Sequence, residues 1–416
     1  MSVGLARSKG GEMDESRSRH HRVVIVGGGT AGLTVAARLA RAKVDDVVVV
    51  EPSERHYYQP LWTLVGGGLA SADSTVRETA SVIPRGVSWV REAAVAVDPG
   101  ERTVSLESGK ELTYDYLVVA PGIQLDWAKV AGLPESLGNG KVSSNYRFDL
   151  APRTWDGIRG MRSGTALFTM PPGAIKCAGA PQKIAYLASD YWQRNGVLGR
   201  IRVILVLPGA AVFGVPEFAR PLERVIDRYG IEVRYQTELS AIDGEAGKAM
   251  LKSLADPGVP AEALEFDFAH VVPPQSAPEW VKASPLADGA NPAGYVEVDK
   301  YTMAHVRWPN VFSLGDAGST PNSKTGAAVR KQAPVVVANL LAAMRGEQPV
   351  KFYDGYASCP LVTSHNRCIM AEFDYVPKPT PTFPVLNMQK ERHDMYLVKR
   401  YGLPLMYWNL MLKGLA

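Results

Sequence analysis

The feature that most constrains the fold of this chain is a glycine-rich turn between a short apolar strand and a helix. Residues 22–27 form a β-branched run, which is typical of a buried parallel strand. Glycines follow in the pattern G-x-G-x-x-G at Gly27, Gly29 and Gly32. Gly27 suits a tight turn, Gly29 allows a pyrophosphate to approach the backbone, and Gly32 allows the next helix to pack closely on the strand. That helix, predicted at 33–42, would bind a phosphate with its free N–H groups.

A second strand and a later turn extend this unit. The strand at 46–51 ends in Glu51, which can bind the hydroxyl pair of a ribose, so the unit is predicted to bind a dinucleotide. Residues 113–122 form a strand that runs into a small-residue turn with Ala120 and Gly122. This segment resembles the second fingerprint of flavoproteins with two dinucleotide-binding domains, with a proline in the place of the usual threonine. The resemblance favours FAD over NAD as the ligand.

A segment late in the chain supports the same interpretation. Residues 310–316 form a strand that ends in Gly315 and Asp316, and in the same superfamily this aspartate contacts the ribityl chain of FAD. Lys324 and Thr325 precede a predicted helix whose N-terminus would face the flavin ring, where negative charge develops on reduction. The FAD site is therefore predicted to draw on both ends of the chain.

The middle of the chain lacks the pattern that would bind a nicotinamide. We expect the strand at 202–207 to be the one that precedes a second glycine pattern. Residues 208–214 follow it with the wrong glycine spacing, and no acid stands at the expected place. A third strand that begins at Glu232 indicates a Rossmann-like shape, but without the phosphate-binding turn NAD(P)H is not expected as electron donor. The absence of a C-x-x-C pair also excludes the thiol–disulfide reductases of the superfamily.

The chain has three cysteines, which are too few for a disulfide scaffold. Cys177 lies between Lys176 and Lys183, shortly before a predicted helix at 184–188. A cysteine near lysines and a helix N-terminus has a lowered pKa and is nucleophilic. The two lysines could bind HS⁻ or a thiolate, or could simply be solvated, and the sequence leaves these alternatives open.

The other two cysteines stand in the last quarter of the chain. Cys359 precedes Pro360, which excludes the middle of a helix and predicts a loop or turn. Cys368 alternates in a predicted strand and is expected to be a buried, small apolar residue. Taken singly, Cys177 and Cys359 are explained as well by burial as by reactivity, and nothing in their spacing brings them together.

Three segments together give the chain a resemblance to the sulfide:quinone oxidoreductase family, closest to the branch that includes the mitochondrial enzymes. They are the Lys-Cys-Ala-Gly-Ala-Pro-Gln-Lys run at 176–183, the Gly-Asp at 315–316 with the Lys-Thr at 324–325, and the Tyr-Asp-Gly-Tyr-Ala-Ser-Cys-Pro-Leu-Val-Thr run at 353–363. The resemblance covers nearly the whole chain. It implies an α/β fold with two Rossmann-like dinucleotide-binding domains, as in glutathione-reductase-like flavoproteins.

The resemblance also implies a reaction. Cys177 and Cys359 would form a redox-active pair, joined by a disulfide or by a bridge with extra sulfur, with Lys183 beside them, and Cys368 has no implied role. HS⁻ would attack the oxidised bridge and leave a persulfide on one cysteine and a thiolate on the other. Cys359 is favoured for the first attack and Cys177 for contact with the flavin. The sulfane sulfur would pass to a small acceptor such as a thiol, sulfite or cyanide, and FAD would pass two electrons to ubiquinone or menaquinone.

The predicted domain organisation follows these motifs. A flexible leader is expected at 1–20. The FAD-binding domain is discontinuous and comprises 21–135 and 290–350, and the second Rossmann-like domain comprises 136–289. Residues 351–416 would form the quinone and membrane interface.

The C-terminal segment at 401–416 is rich in Leu, Met, Tyr and Trp and has Lys399, Arg400 and Lys413 at its flanks. Such a segment suits a membrane interface, although docking on the protein's own core is the alternative. Because a quinone with an isoprenoid tail lives in the bilayer, we expect this segment to dip into the membrane. Candidate wall residues of the quinone site are Phe352, Phe373, Tyr375, Phe383, Tyr396, Tyr407 and Trp408.

Composition limits the partners and the location. Lys and Arg exceed Asp and Glu by only four, which is too small an excess to indicate nucleic acid. The chain shows no secretory signal and no run of 18 apolar residues, so we expect a peripheral protein on the cytoplasmic face of the cell membrane. No metal site is expected, and a homo-oligomer stays open.

Three other functions are weighed against this one. A type II NADH:quinone oxidoreductase would need an intact middle glycine pattern. A flavocytochrome sulfide dehydrogenase would be exported, and no signal is seen. A non-catalytic flavin-binding or sulfur-carrier protein at the membrane would not need both cysteines.

Overall fold

The computed structural model describes residues 19–138 and 140–416. The predicted flexible leader lies outside the described residues up to position 18. Its last two residues already belong to the first strand, Arg19–Val26, so the predicted boundary is wrong there. The reason is that Arg19 and His20 pair with the backbone of Leu112 and Thr113.

A seven-stranded sheet is built around the N-terminal strand. Arg19–Val26 pairs in parallel with Val47–Val50 on one side and with Glu111–Val119 on the other. The end of Glu111–Val119 also pairs in parallel with Val311–Ser313. Both faces of these central strands are covered, which explains their continuous apolar runs. The sheet is completed by Val87–Val90 in parallel and by the antiparallel strands Thr103–Leu106 and Ala94–Asp98.

A second, parallel sheet has Gly164–Thr169 at its centre, followed along the chain by the helix Ala180–Arg194 and the neighbouring strand Ile201–Val206. This repeats the order of strand, helix and parallel strand at the N-terminus. The prediction that residues 202–207 precede the counterpart of the phosphate-binding turn is therefore wrong, because Gly164–Thr169 holds that place in the sheet. The strand order is Val142–Ser143, Phe268–Val271, Gly164–Thr169, Ile201–Val206 and Glu232–Arg234, so the third strand begins at Glu232 as predicted.

Smaller antiparallel sheets complete the strands. A three-stranded sheet consists of Thr237–Asp243, Lys248–Ser253 and Glu262–Glu265. The two-stranded sheets are Gln124–Leu125 with Gln275–Ser276, Arg55–Tyr57 with Val76–Glu78, and Ala357–Ser364 with Arg367–Phe373. We call the last of these the C-terminal hairpin.

The C-terminal hairpin corrects the prediction for Cys359, which lies in a strand opposite Ala371 and not in a loop or turn. Pro360 is tolerated because a strand in a two-stranded sheet has one free edge, where a missing N–H costs no ladder bond. Alternation along the strands places Cys359 on the face that packs towards helix Ala180–Arg194 and Cys368 on the opposite face. Cys368 is a fully buried strand residue, as predicted.

The α-helices are Thr30–Arg41, Trp62–Gly66, Thr79–Val82, Leu133–Ser136, Ala151–Gly160, Ala180–Arg194, Pro216–Tyr229, Glu279–Lys282, Gly326–Met344, His393–Leu397 and Leu403–Asn409, with a π-helical turn at Val398–Gly402. Among the residues that the structure describes, no helix is both long enough and apolar enough to cross a membrane. Thr30–Arg41 and Gly326–Met344 share one apolar core on the first sheet.

The C-terminal segment, residues 401–416, packs on helix Thr30–Arg41. Its buried side chains include Tyr407, Trp408, Met411 and Leu412, which belong to the core of the first sheet. Its exposed apolar side chains are Tyr401, Leu405, Leu410 and Leu415. Part of the segment therefore docks on the protein's own core, while four large apolar side chains stay exposed along it.

Candidate active site

Three neighbouring parallel strands bring the predicted cofactor residues to one edge of the first sheet. Val26 pairs with Val119, which in turn pairs with Ser313. The glycine turn at 27–32 and the turns with Ala120–Gly122 and Gly315–Asp316 follow these strand ends. Ligands of open α/β sheets bind outside the carboxyl ends of the strands.

The glycine turn fits a bound phosphate group. A Cβ at Gly27 would lie 2.3 Å from the carbonyl oxygen of Ala120, and one at Gly32 would lie 1.8 Å from the carbonyl oxygen of Gly27. A Cβ at Gly29, by contrast, would meet nothing within 4 Å. The turn is therefore closed on the sides of Gly27 and Gly32 and open at Gly29, where the first helix begins.

Glu51 stands beside this turn. Its carboxylate accepts hydrogen bonds from the N–H groups of Gly28 and Ser53, both at 2.8 Å. Burial raises the pKa of Glu51, although these two N–H groups act in the opposite direction. The placement suits the predicted contact with a ribose.

The Gly315–Asp316 turn is held by side chains of the neighbouring segments. Gly315 has a left-handed backbone with φ of +69°, and its N–H donates to Gln332 Oε1 at 2.9 Å. Lys324 Nζ donates to the carbonyl oxygens of Asp316 and Gly318 at 2.9 and 2.8 Å. Burial raises the pKa of the Asp316 carboxyl and lowers the pKa of Lys324 to about 8.

Thr325 caps the long helix that follows. Its hydroxyl accepts the N–H of Ala328 at 3.1 Å, at the start of Gly326–Met344. The threonine thus has a structural function at this helix N-terminus, and its predicted contact with the cofactor stays a prediction.

The structure brings Cys177 and Cys359 together, which the sequence spacing alone did not. Their Sγ atoms lie 4.0 Å apart, and Lys183 Nζ lies 3.0 Å from Cys177 Sγ and 3.8 Å from Cys359 Sγ. Cys177 lies in the segment after the central strand Gly164–Thr169, just before helix Ala180–Arg194. The cysteine therefore occupies the place that the glycine turn occupies in the first sheet.

The backbone at Cys177 is unusual and is fixed from outside its own segment. Cys177 has a φ of +53°, which non-glycine residues seldom adopt. Its N–H donates to the carbonyl oxygen of Lys324 at 2.9 Å. Strained backbone persists only where neighbouring structure holds it, and here the bond to Lys324 joins the cysteine segment to the predicted flavin segment.

The charges at the sulfur pair are uneven. Hydrogen bonding with Cys359 and the nearby Lys183 ammonium lower the pKa of the Cys177 thiol against the effect of burial. Hydrogen bonding with Cys177, together with burial, raises the pKa of the Cys359 thiol. Burial alone would lower the pKa of Lys183, but the two sulfurs raise it, so the lysine stays a cation. The arrangement favours a thiolate on Cys177.

Gly179 allows the close approach of the two segments. A Cβ at this position would lie 2.5 Å from Cys359 Sγ and 2.6 Å from a methyl carbon of Leu361. Any larger residue would push the C-terminal hairpin away from the helix that follows Cys177.

The two lysines around Cys177, which the sequence could not distinguish, differ in the structure. Lys183 is 2% exposed and contacts both sulfurs. Lys176 Nζ instead donates to Gln59 Oε1 at 2.6 Å, over the rings of Trp62 and Tyr146. Lys183 is thus the better candidate for sulfur chemistry.

Lys399 is a further candidate that the sequence reading did not identify. It is 3% exposed, and its Nζ donates to the carbonyl oxygen of Pro60 at 2.7 Å. Burial, and next the charge of Lys183, lower the pKa of Lys399 to about 8, while Cys177 acts in the opposite direction. It lies in the π-helical turn, a feature often found at functional sites. In the sequence Lys399 stands next to Arg400 at the flank of the apolar segment 401–416, and it was interpreted there as a membrane flank.

The chain is similar to known proteins over nearly its whole length. Residues 21–158 match the pyridine nucleotide-disulphide oxidoreductase family. The chain is 43% identical to the mitochondrial sulfide:quinone oxidoreductase of Mus musculus, over 95% of this chain and 87% of that protein. It is 40% identical to the mitochondrial sulfide:quinone oxidoreductase of Dictyostelium discoideum, over 99% of this chain and 90% of that protein.

The fold is also similar to that of a solved structure. The sulfide:quinone oxidoreductase from the bacterium Aquifex aeolicus superposes with a TM-score of 0.78 at 19% identity, over 95% of this chain and 92% of that chain. This similarity confirms the predicted α/β flavoprotein fold. The identities to the mouse and Dictyostelium proteins over nearly the full chain show that the chain belongs to the sulfide:quinone oxidoreductase family.

Proposed function

We propose that this protein is an FAD-dependent sulfide:quinone oxidoreductase that uses Cys177 and Cys359 as its redox pair. The observation that carries the proposal is the distance of 4.0 Å between their Sγ atoms, with Lys183 Nζ within 3.8 Å of both. A disulfide bond is about 2.05 Å long. The two sulfurs therefore need only a small approach to form a direct bond, and the space between them also suits a bridge that carries one more sulfur.

The first step is an exchange at the oxidised pair. HS⁻ forms a bond to Cys359 Sγ, the bond between Cys359 Sγ and Cys177 Sγ breaks, and the products are a Cys359 persulfide and a Cys177 thiolate. A thiolate of lower pKa is the better leaving group. Because hydrogen bonding and the Lys183 ammonium lower the pKa of Cys177, the asymmetry of the site favours attack on Cys359.

The second step removes the sulfane sulfur. A nucleophilic acceptor such as a thiol, sulfite or cyanide bonds to the outer sulfur of the persulfide and leaves Cys359 as a thiolate. Both cysteines are then reduced, and two electrons must leave before their bond can form again. Lys183 holds a positive charge beside both sulfurs throughout, which lowers the cost of negative charge in a buried site.

FAD, when bound, would accept these two electrons and pass them to a quinone. The residues that would hold it are the glycine turn with Glu51, the turns at Ala120–Gly122 and Gly315–Asp316, and the segment with Lys324 and Thr325. The open space at Gly29 supports this assignment, because a phosphate can approach the backbone there. The bond from Cys177 N–H to Lys324 O supports contact between the sulfur pair and the cofactor segment.

The exposed apolar side chains of the C-terminal segment support attachment to a membrane surface, where a quinone would be reached. They belong to Tyr401, Leu405, Leu410 and Leu415. Among the candidate quinone-site residues, Phe352 and Phe383 are exposed, whereas Tyr407 and Trp408 are buried, and Tyr407 contacts Thr30 of the glycine turn. Ubiquinone or menaquinone, the cytoplasmic face and a homo-oligomer stay predictions.

Anaerobic mixing of the purified protein with sulfide tests the proposal. The flavin absorbance should bleach with sulfide and return when a soluble ubiquinone analogue is added. Bleaching by NADH without any response to sulfide would instead favour the type II NADH:quinone oxidoreductase. A flavin that responds to neither donor would favour a non-catalytic flavin-binding or sulfur-carrier protein.

A further inference from the structure

A chain of buried hydrogen bonds connects the C-terminal segment to the glycine turn. His56 Nδ1 lies 3.0 Å from the carbonyl oxygen of Gly28, and His56 Nε2 lies 2.5 Å from Tyr407 Oη. Tyr407 Oη in turn lies 3.0 Å from Thr30 Oγ1, at the start of the first helix. His56 is 4% exposed and Tyr407 is 2% exposed, so water does not replace these bonds.

The chemistry of the groups fixes the direction of the chain. A carbonyl oxygen only accepts, so His56 Nδ1 carries the proton and donates to Gly28. Burial lowers the pKa of His56 to about 4, so the ring is neutral at pH 7 and its Nε2 accepts from the Tyr407 hydroxyl. Tyr407 Oη can then accept from Thr30. Removing the Tyr407 hydroxyl would therefore leave the buried His56 Nε2 without its partner.

These bonds hold Gly28 through both of the peptide groups that it joins. The N–H of Gly28 donates to Glu51 Oε2 at 2.8 Å, and its carbonyl oxygen accepts from His56. In a planar trans peptide the N–H points opposite to the carbonyl, so the N–H of Gly29 points away from His56. Fixing the Gly28 carbonyl thus fixes the direction of the Gly29 N–H, at the position that is open to a ligand.

Further contacts seat the C-terminal segment on the same helix. The Tyr407 ring packs on Tyr58, with 4.5 Å between ring centroids. Gly414 lies against the backbone of Ala37, where a Cβ would come within 2.9 Å of carbonyl atoms. Arg38 Nη2 donates to the carbonyl oxygen of Ala416 at 2.6 Å. The segment therefore follows the first helix from its start at the glycine turn towards its end.

We propose that Tyr407 and His56 are positioning residues that hold the glycine turn in the shape that binds the pyrophosphate of FAD. Seating of the C-terminal segment thereby governs how tightly the cofactor is retained. The same segment carries the exposed side chains of Tyr401 and Leu405. A surface that binds these side chains would therefore act on the segment that positions Tyr407. The inference rests on FAD as the proposed cofactor.

The test is the FAD dissociation constant of the holoenzyme, measured from the fluorescence of flavin released on dilution. Tyr407→Phe removes one hydroxyl from the chain and should raise this constant by roughly 5- to 20-fold, because His56 Nε2 loses its partner. Tyr401→Phe is the matched control, since it removes an exposed hydroxyl of the same segment, and it should leave the constant unchanged. A constant for Tyr407→Phe within twofold of the parent would overturn the inference.

A second pair of variants separates positioning from a general loss of structure. In His56→Asn the side-chain amide can still donate to Gly28, but the shorter side chain has no acceptor at the position of His56 Nε2, so the bond to Tyr407 is lost. The double variant His56→Asn with Tyr407→Phe should therefore bind FAD at least as tightly as Tyr407→Phe alone, and its unfolding temperature at saturating FAD should match the parent. Effects that simply multiply would contradict the coupling. A parent protein that takes up no FAD would overturn the proposed function instead.

Discussion

The two parallel sheets of this protein place different groups at the same topological position. In the first sheet the turn after the central strand is made of Gly27, Gly29 and Gly32, and it presents backbone N–H groups to an open space. In the second sheet the corresponding turn carries Cys177, which has a φ of +53°. Lys183 Nζ lies 3.0 Å from its Sγ. The first turn thus offers bare backbone to a ligand, whereas the second offers a reactive side chain.

This contrast indicates which part of a Rossmann-like unit can change without loss of its architecture. The carboxyl end of the central strand and the start of the next helix stay in place in both sheets, because the sheet and its core fix them. What the turn contains is free to differ, since the turn lies outside the core. A cysteine in the place of a phosphate-binding turn explains why the second unit keeps its shape while its nicotinamide pattern is missing.

The largest expected effect comes from removing either sulfur of the pair formed by the second turn and the C-terminal hairpin. Cys177→Ser and Cys359→Ser should each lower the rate at which sulfide reduces the flavin by about 10³-fold or more, because neither variant can form the sulfur bridge. Stopped-flow absorbance under anaerobic conditions measures the rate, and the visible flavin spectrum serves as the control for a filled site. Cys368→Ser is the matched variant and should reduce its flavin at a rate close to the parent. A normal rate in either active-site variant would contradict the assigned redox pair.

Two glycine variants, one in each turn, test whether FAD binding and the reaction with sulfide depend on different turns. Gly32→Ala places a Cβ within 1.8 Å of Gly27 O, so the protein should lose most of its FAD. Gly179→Ala places a Cβ within 2.5 Å of Cys359 Sγ, so the variant should react with sulfide at least about 10-fold more slowly. Because this Cβ does not contact the glycine turn of the first sheet, the variant should keep FAD. The ratio of flavin to protein and the rate of bleaching distinguish the two results. Loss of FAD in Gly179→Ala would show that the two turns are not independent.

A lysine variant tests the charge of the second turn. Lys183 lowers the pKa of Cys177, so Lys183→Met should raise that pKa and reduce the thiolate fraction at neutral pH. The midpoint pH for alkylation of the reduced protein by iodoacetamide should rise by about 1 to 2, and sulfide should react roughly 10- to 100-fold more slowly at pH 7. Lys176→Met is the control, because Lys176 Nζ donates its hydrogen bond to Gln59 and not to a sulfur. This variant should shift the midpoint less. Equal shifts in both variants would remove the distinction between the lysines.

The smallest expected effect concerns Lys399, the buried lysine beside the second turn. Its pKa falls to about 8 in the folded protein, below the value of roughly 10.4 for a free lysine, so below pH 8 its burial destabilises the fold. Lys399→Met should therefore raise the free energy of unfolding at pH 7. The expected net gain is about 2 kcal/mol, because the lost hydrogen bond to the carbonyl oxygen of Pro60 offsets part of the burial cost that is removed. The gain should disappear as the pH rises through 8 towards 10. Urea unfolding at both pH values measures it, and a loss of stability at pH 7 would show that the hydrogen bond outweighs the burial cost.

Sequence patterns were sufficient for the first sheet because its signals are local. The β-branched strand, the glycine spacing and Glu51 depend on neighbours within about 30 positions. The structure has both strands and the helix in the predicted order, although Arg19–Val26 and Thr30–Arg41 begin earlier than predicted. The burial of Cys368 follows equally from strand alternation. Apart from the end of the leader, the predicted domain boundaries stay predictions, as do the individual cofactor contacts.

Local patterns were less reliable where distant segments decide the outcome. The strand at 202–207 looked like the start of the second unit, but the order of strands in the sheet gives that place to Gly164–Thr169. Pro360 indicated a loop, but the free edge of a two-stranded hairpin accepts a proline. Lys399 looked like a membrane flank because the sequence does not show its burial. That burial depends on a distant segment, where the carbonyl oxygen of Pro60 accepts a hydrogen bond from Lys399 Nζ.

By itself, the sequence determined the α/β class, the dinucleotide turn and, through resemblance, the family. The tertiary structure decided that Cys177 and Cys359 lie 4.0 Å apart, that Lys183 rather than Lys176 faces them, and that Tyr407 reaches the glycine turn. The physical reason is the range of the interactions. Backbone turns and strand periodicity are set by neighbouring residues, whereas the approach of two sulfurs and an ammonium depends on how a hairpin and a helix from distant parts of the chain pack together.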